Sequence, residues 1–163
     1  MSIAFGGKIM VFKKKIKSND VVKSSKNKAN IIGKTGNNEK SKEDIITNWI
    51  YMTPQTVDAK MIADIIKTRT SLEVDIWEEL DILEVELSDK SMVDFEPMET
   101  NMKDPSDAAF VKNRNIKTIF AVTISNGAFE EMKSIMKFVI GELEGFICAD
   151  SVDFNPIYDA SSI

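Results

Sequence analysis

The chain of 163 residues contains no histidine and a single cysteine, Cys148. Without imidazole there is no Ser/His/Asp or Cys/His nucleophile pair, no histidine general base and no histidine-containing zinc site. One thiol excludes intramolecular disulfides and Cys-cluster metal sites. A chain with nothing to crosslink fits a reducing, cytoplasmic compartment. No run reaches the roughly 18 consecutive apolar residues of a membrane span. At the N-terminus, Ile3, Phe5, Ile9, Met10, Val11 and Phe12 precede Lys13, Lys14 and Lys15, the reverse of the order in a secretory signal.

What is present is enough apolar mass for one ordinary domain, 43% hydrophobic with 9 Phe and 9 Met. The charge is unevenly placed. Residues 1–42 hold 11 lysines against Asp20 and Glu39, a local charge of +9. Residues 43–163 hold the other 10 basic and 24 acidic residues, or -14, so the net -5 averages two opposite segments. From Lys13 to Lys42 the composition is mostly Lys, Asn, Ser and Gly, with Ile16, Val21-Val22 and Ile31-Ile32 as its larger apolar residues. Such a segment has too little to bury to offset chain entropy, so 1–44 reads as a flexible basic arm and 45–163 as one acidic α+β domain. Within the arm, Gly33-Lys34-Thr35 resembles the end of a phosphate loop, but the required earlier glycine is replaced by Lys28. The arm's lysines come with no arginine and only Phe5 and Phe12 as aromatics, which argues against nucleic acid as a partner beyond weak contact through the arm. A membrane-surface contact through Ile3 to Lys17 is the other functional reading of the arm.

In the body, residues 45–52 are rich in branched and aromatic side chains and predict a strand. Thr53-Pro54 offers a helix start, and Val57, Met61, Ile62, Ile65 and Ile66 carry the helix to about Lys67. Thr70 with Glu73 fits a capping box, followed at helical steps by Leu72, Ile76, Leu80 and Leu83, with the change to strand within 80–83. Leu83, Val85 and Leu87 alternate with Glu84 and Glu86, as in a strand with one wet face. Residues 97–114 read as a connection, and 116–124 as a third strand. Asn126 caps a second helix with Glu130 and Glu131 in its first turn and Phe129, Met132, Met136, Val139 and Leu143 as its buried stripe. Gly145 sits where a left-handed cap is expected, and 146–149 predict a fourth strand.

Val93-Asp94-Phe95-Glu96-Pro97-Met98 and Val152-Asp153-Phe154-Asn155-Pro156-Ile157 share four of six residues. Each follows strand, helix and strand. This order predicts a ferredoxin-like β-α-β-β-α-β two-layer sandwich with an antiparallel sheet, built by duplication of halves near 45–98 and 115–158. Two readings of Asp-Phe-x-Pro compete. One is a strand end, with Phe buried and Asp capping; the other pairs Asp94 and Asp153 as carboxylates for a metal or for acid/base work.

The densest charge run is Glu73, Asp75, Glu78, Glu79, Asp81, Glu84, Glu86 and Asp89, with no Lys or Arg among them. It is either a solvated surface that deters aggregation or a docking surface for a basic protein. Trp77, Ile76 and Leu80 fit the helical stripe and are assigned to the core, with an apolar anchor as their alternative role. Cys148 reads as a buried inert thiol. The expectation is a non-catalytic binding module without cofactor, in concrete form a bacterial immunity or antitoxin-type inhibitor that blocks a nuclease toxin. A small-molecule regulatory domain and a carboxylate/divalent-metal enzyme are the alternatives.

Overall fold

The computed structural model describes residues 46–125 and 127–163. The arm assigned to 1–44 and the Asn126 cap lie outside the described residues. The order of elements is β1 (Asn48–Thr53), α1 (Ala59–Arg69), β2 (Glu73–Trp77), β3 (Ile82–Glu86), β4 (Met92–Met98), α2 (Pro105–Asn113), β5 (Thr118–Ile124), α3 (Phe129–Leu143), β6 (Phe146–Ala149) and β7 (Ile157–Asp159). All seven strands join one sheet in the order β2-β3-β4-β5-β1-β6-β7, and every neighbouring pair is antiparallel.

An α+β chain with an antiparallel sheet is what the sequence predicts, but this sheet is larger than a ferredoxin-like one. The halves do not match either. Val93-Asp94-Phe95 is extended strand β4, with Val93 and Phe95 fully buried beneath the α1/α3 layer. In the second copy Phe154 has a positive φ of 53° inside a turn, and its ring joins the core on the other side of the sheet. The four shared residues therefore sit in two different local structures, and the duplication is not confirmed.

β1 shows why the sheet is built around it. Its sequence Asn-Trp-Ile-Tyr-Met-Thr is apolar on both faces, and five of its six residues are buried. It pairs with β5 (Tyr51 opposite Phe120) and with β6 (Ile50 opposite Cys148). Trp49 and Tyr51 face α1 and α3, whereas Ile50 and Met52 face Val111 and Phe110 of α2. Each such side chain contributes roughly 1.5–3 kcal/mol by leaving water.

α1 begins at the side chain of Asp58, which accepts from the Met61 N–H at 2.8 Å, and not at Thr53-Pro54. Thr53 is instead the buried end of β1, its hydroxyl donating to the Leu143 carbonyl at 2.7 Å. Thr70 ends α1 rather than opening a second helix: its N–H donates to Ile66 O at 2.8 Å. The expected helix through 70–80 is β2 and the turn after it. Leu72 and Ile76 are four apart, a spacing that keeps two residues on one face in a helix and in a strand alike. The alternation of Glu73-Val74-Asp75-Ile76-Trp77 decides for the strand. The expected connection over 97–114 contains α2, and Asp104 followed by Pro105 is its capped start; the Asp104 carboxylate accepts from Ser106 N–H at 2.8 Å.

α3 carries its acids Glu130 and Glu131 in the first turn and buries Met132, Met136, Val139 and Leu143 as its periodicity requires. Glu144 and Gly145 then turn the chain with positive φ, 59° and 90°, into β6. A Cβ on Gly145 would lie 2.2 Å from Met52 O, a backbone atom that cannot yield. Gly145→Ala combines that collision with a strained φ, and urea unfolding should show a loss of at least roughly 1–3 kcal/mol. An unchanged midpoint would contradict this account of the turn.

Candidate functional site: an uncovered acidic sheet face

The sheet is covered unequally. α1 and α3 lie along one face, burying Leu83, Val85, Val93, Phe95, Phe120 and Val122. On the opposite face the buried strand residues packed with α2 belong to β1, β5 and β6, with Met98 at the end of β4 and Ile157 of β7 at their margin. Alternate residues of β2, β3 and β4 project to that same side, and apart from Trp77, Ile82 and Met92 toward the strand ends and Met98, which packs with the α2 cluster, they are acidic. β2 presents Glu73 and Asp75, β3 presents Glu84 and Glu86, and β4 presents Asp94 and Glu96.

Register brings these carboxylates into rows. Glu73 lies opposite Glu86, and Asp75 opposite Glu84. Glu84 is also opposite Asp94, which is followed on β5 by the exposed Thr123. Asp75, Glu84 and Asp94 thus form a row across three strands, with neighbouring Cβ atoms about 5 Å apart. Like charges directly opposite destabilise a sheet. Partial burial first, then Glu84 and Glu96, raise the Asp94 carboxyl above the usual carboxylate range. One cation is ion-paired with the set among the described residues: Lys90 bonds Glu86, and Glu86 with a smaller pull from Glu73 holds its ammonium above the usual range.

The sequence-predicted acids divide into two groups. Glu73, Asp75, Glu84 and Glu86 converge on this face. Glu78 and Glu79 are exposed in the β2–β3 turn. Asp81, at φ 55° in that turn, accepts the Ala59 N–H at 2.7 Å and so helps cap α1. Asp89 holds the β3–β4 turn by accepting from Ser91 N–H at 2.9 Å; its bonds to Ser91 keep its pKa low. Asp94 and Glu96 complete the face and were missed as members of it. The signal was available, since both alternate with Val93 and Phe95.

Two of the three apolar assignments change. Trp77 and Leu80 are not core: they are 52% and 57% exposed at the end of the β2–β3 hairpin, beside Glu78 and Glu79. Ile76 does pack against the core.

The chemical alternatives find less here. Asp94 stands on β4, while Asp153 follows β6, and β5 and β1 separate those strands. Among the described residues, no three His, Cys, Asp or Glu side chains are placed to hold a metal. Cys148 is buried; burial and then Asp150 push its thiol up to about 12, so it holds its proton at neutral pH. A groove of about 530 Å³ between α1 and α3 is lined by Arg69, Thr70, Leu72, Ser88, Glu131 and Phe138. Arg69 is ion-paired with Glu142, and Ser88 bonds Glu131, so its polar groups serve one another.

The raised Asp94 carboxyl has a definite linkage. The folded state holds that proton more tightly, so this group's contribution is most favourable below the usual carboxylate range and is lost as pH rises through it toward the raised value. Asp94→Asn should therefore melt higher than the parent at pH 7 and low salt. The gain expected is about 0.2–1 kcal/mol, toward the lower end because the face is wet. It should shrink with added salt and vanish under acid conditions, as followed by thermal unfolding across pH. A loss of stability at pH 7 would show that the row is not repulsive. Comparison with family models, curated proteins and solved structures found no match for this chain.

Proposed function

We propose that this chain is a non-catalytic protein-binding module whose uncovered acidic sheet face docks a basic partner. The observation that carries the reading is the row Asp75–Glu84–Asp94, flanked by Glu73, Glu86 and Glu96. Six carboxylates on one uncovered face repel each other in the free protein, and a cationic surface laid over them relieves that repulsion. Long-range attraction from such a face raises association rates and selects partners by sign. Exposed Trp77 and Leu80 at its end supply the apolar contact that charge alone lacks. In its concrete form the partner is a nuclease-type toxin, its cationic nucleic-acid site covered by carboxylates in place of phosphates, and the module a bacterial immunity or antitoxin-type inhibitor.

Polylysine serves as the probe for the charge component, measured by calorimetry with the full chain. Affinity should fall by about tenfold or more as salt rises from low to physiological strength. The combined variant Glu73→Gln, Asp75→Asn, Glu84→Gln, Asp94→Asn should lose about tenfold or more at low salt. Neutralising Asp64, Glu99, Glu130 and Asp153 removes the same charge from elsewhere on the surface and should cost much less. Equal losses in the two variants would reduce the effect to net charge and sink the assignment of this face.

A further inference from the structure

We infer that the outer edge of β2 is the recognition element of this face and that it accepts an extended cationic strand of the partner. The inference rests on the acidic-face reading and adds how the partner is held. β2 ends the sheet: it pairs with β3 on one side, and no described strand pairs with its other side. Alternate residues of such a strand turn N–H and C=O outward. The opposite edge, β7, is only three residues long, whereas β2 has five and contains no Pro, Gly or Lys to blunt it.

Both sides of β2 are unfinished, and in different ways. On the helix side Val74 and Ile76 stay half-buried, while their partners Val85 and Leu83 on β3 are fully buried. On the other side stand Glu73 and Asp75. One more strand would complete both if its residues alternated between apolar and cationic. Its apolar residues would continue the row of Val74 and Ile76, and its Lys or Arg residues would stand beside Glu73 and Asp75. A second copy of this chain would bring no cation to the edge, since its β2 offers only Glu73 and Asp75, and pairing centred on Asp75 would oppose that acid to itself.

The test uses the full chain and short peptides in fluorescence anisotropy. One peptide alternates lysine with valine; its isomer of equal composition collects the lysines in a block. The alternating peptide should bind about tenfold tighter or better. Methylating one alternate set of its backbone nitrogens should weaken binding by about tenfold to a hundredfold, as loss of two or three ladder bonds implies, while methylating the other set should change little. Equal affinity of the two isomers, or equal effects of both methylations, would overturn edge pairing. If that binding still fell in the combined variant, the acidic-face reading would stand without it. Binding to either peptide that ignored the combined variant would overturn both.

Discussion

Everything in this fold hangs on a strand that has no outside. β1 is hydrogen-bonded on both edges and covered on both faces, with Trp49 and Tyr51 under α1 and α3 and Ile50 and Met52 under α2. The same strand also fixes the end of α3. Thr53 donates to Leu143 O, and Tyr51 donates to Glu144 O at 2.9 Å, two of the carbonyls a helix terminus leaves unpaired. Burial pushes the Tyr51 hydroxyl well above its ordinary range, which keeps it a donor. Strand register and helix position are thereby one constraint, since a one-residue slip would turn both hydroxyls to the wrong face.

The acidic face follows from how little of the sheet that centre can cover. α2 spans nine residues and packs over the β1/β5/β6 side. Beyond it, β2, β3 and β4 have one covered face and one wet one, and their sequences alternate accordingly. Their apolar residues suffice to attach them to α1 and α3, so the wet face carries no packing requirement. Repulsion among its carboxylates costs tenths of a kcal/mol per pair, which a core of this size tolerates. The turns around this face are held by acids of a different kind. Asp81 and Asp89 are tied to backbone N–H groups, and nothing in their residue type distinguishes them from the carboxylates left facing water.

That distinction explains what could be read from the chain and what could not. The strands at 48–53, 118–124 and 146–149 and the helix at 129–143 were legible, because each is long enough or apolar enough to show its period. The acidic run was visible as a run, but its division into face, turn and cap depends on register. The segment 70–80 misled because a four-residue spacing satisfies two periods at once, and that error placed Trp77 and Leu80 in the core. α2 escaped because it buries only Val111 fully and so shows almost no stripe. The Val-Asp-Phe-x-Pro match misled for another reason. Similar short sequences took up an extended strand in one place and a turn in the other, as their neighbours dictated.

The position of β1 also has a consequence in time. It lies inside the sheet but is first in chain order among the described strands, and its partners come late: Thr53 awaits Thr118, and Trp49 awaits Ala149. Those separations run from 65 to 100 residues. At synthesis rates of roughly 5–20 residues per second, this strand leaves the ribosome seconds to tens of seconds before either neighbour exists. Long-range closures of this kind slow folding and leave such a strand open to wrong pairings in the interval. The first of the described strands to be made is therefore among the last to be satisfied.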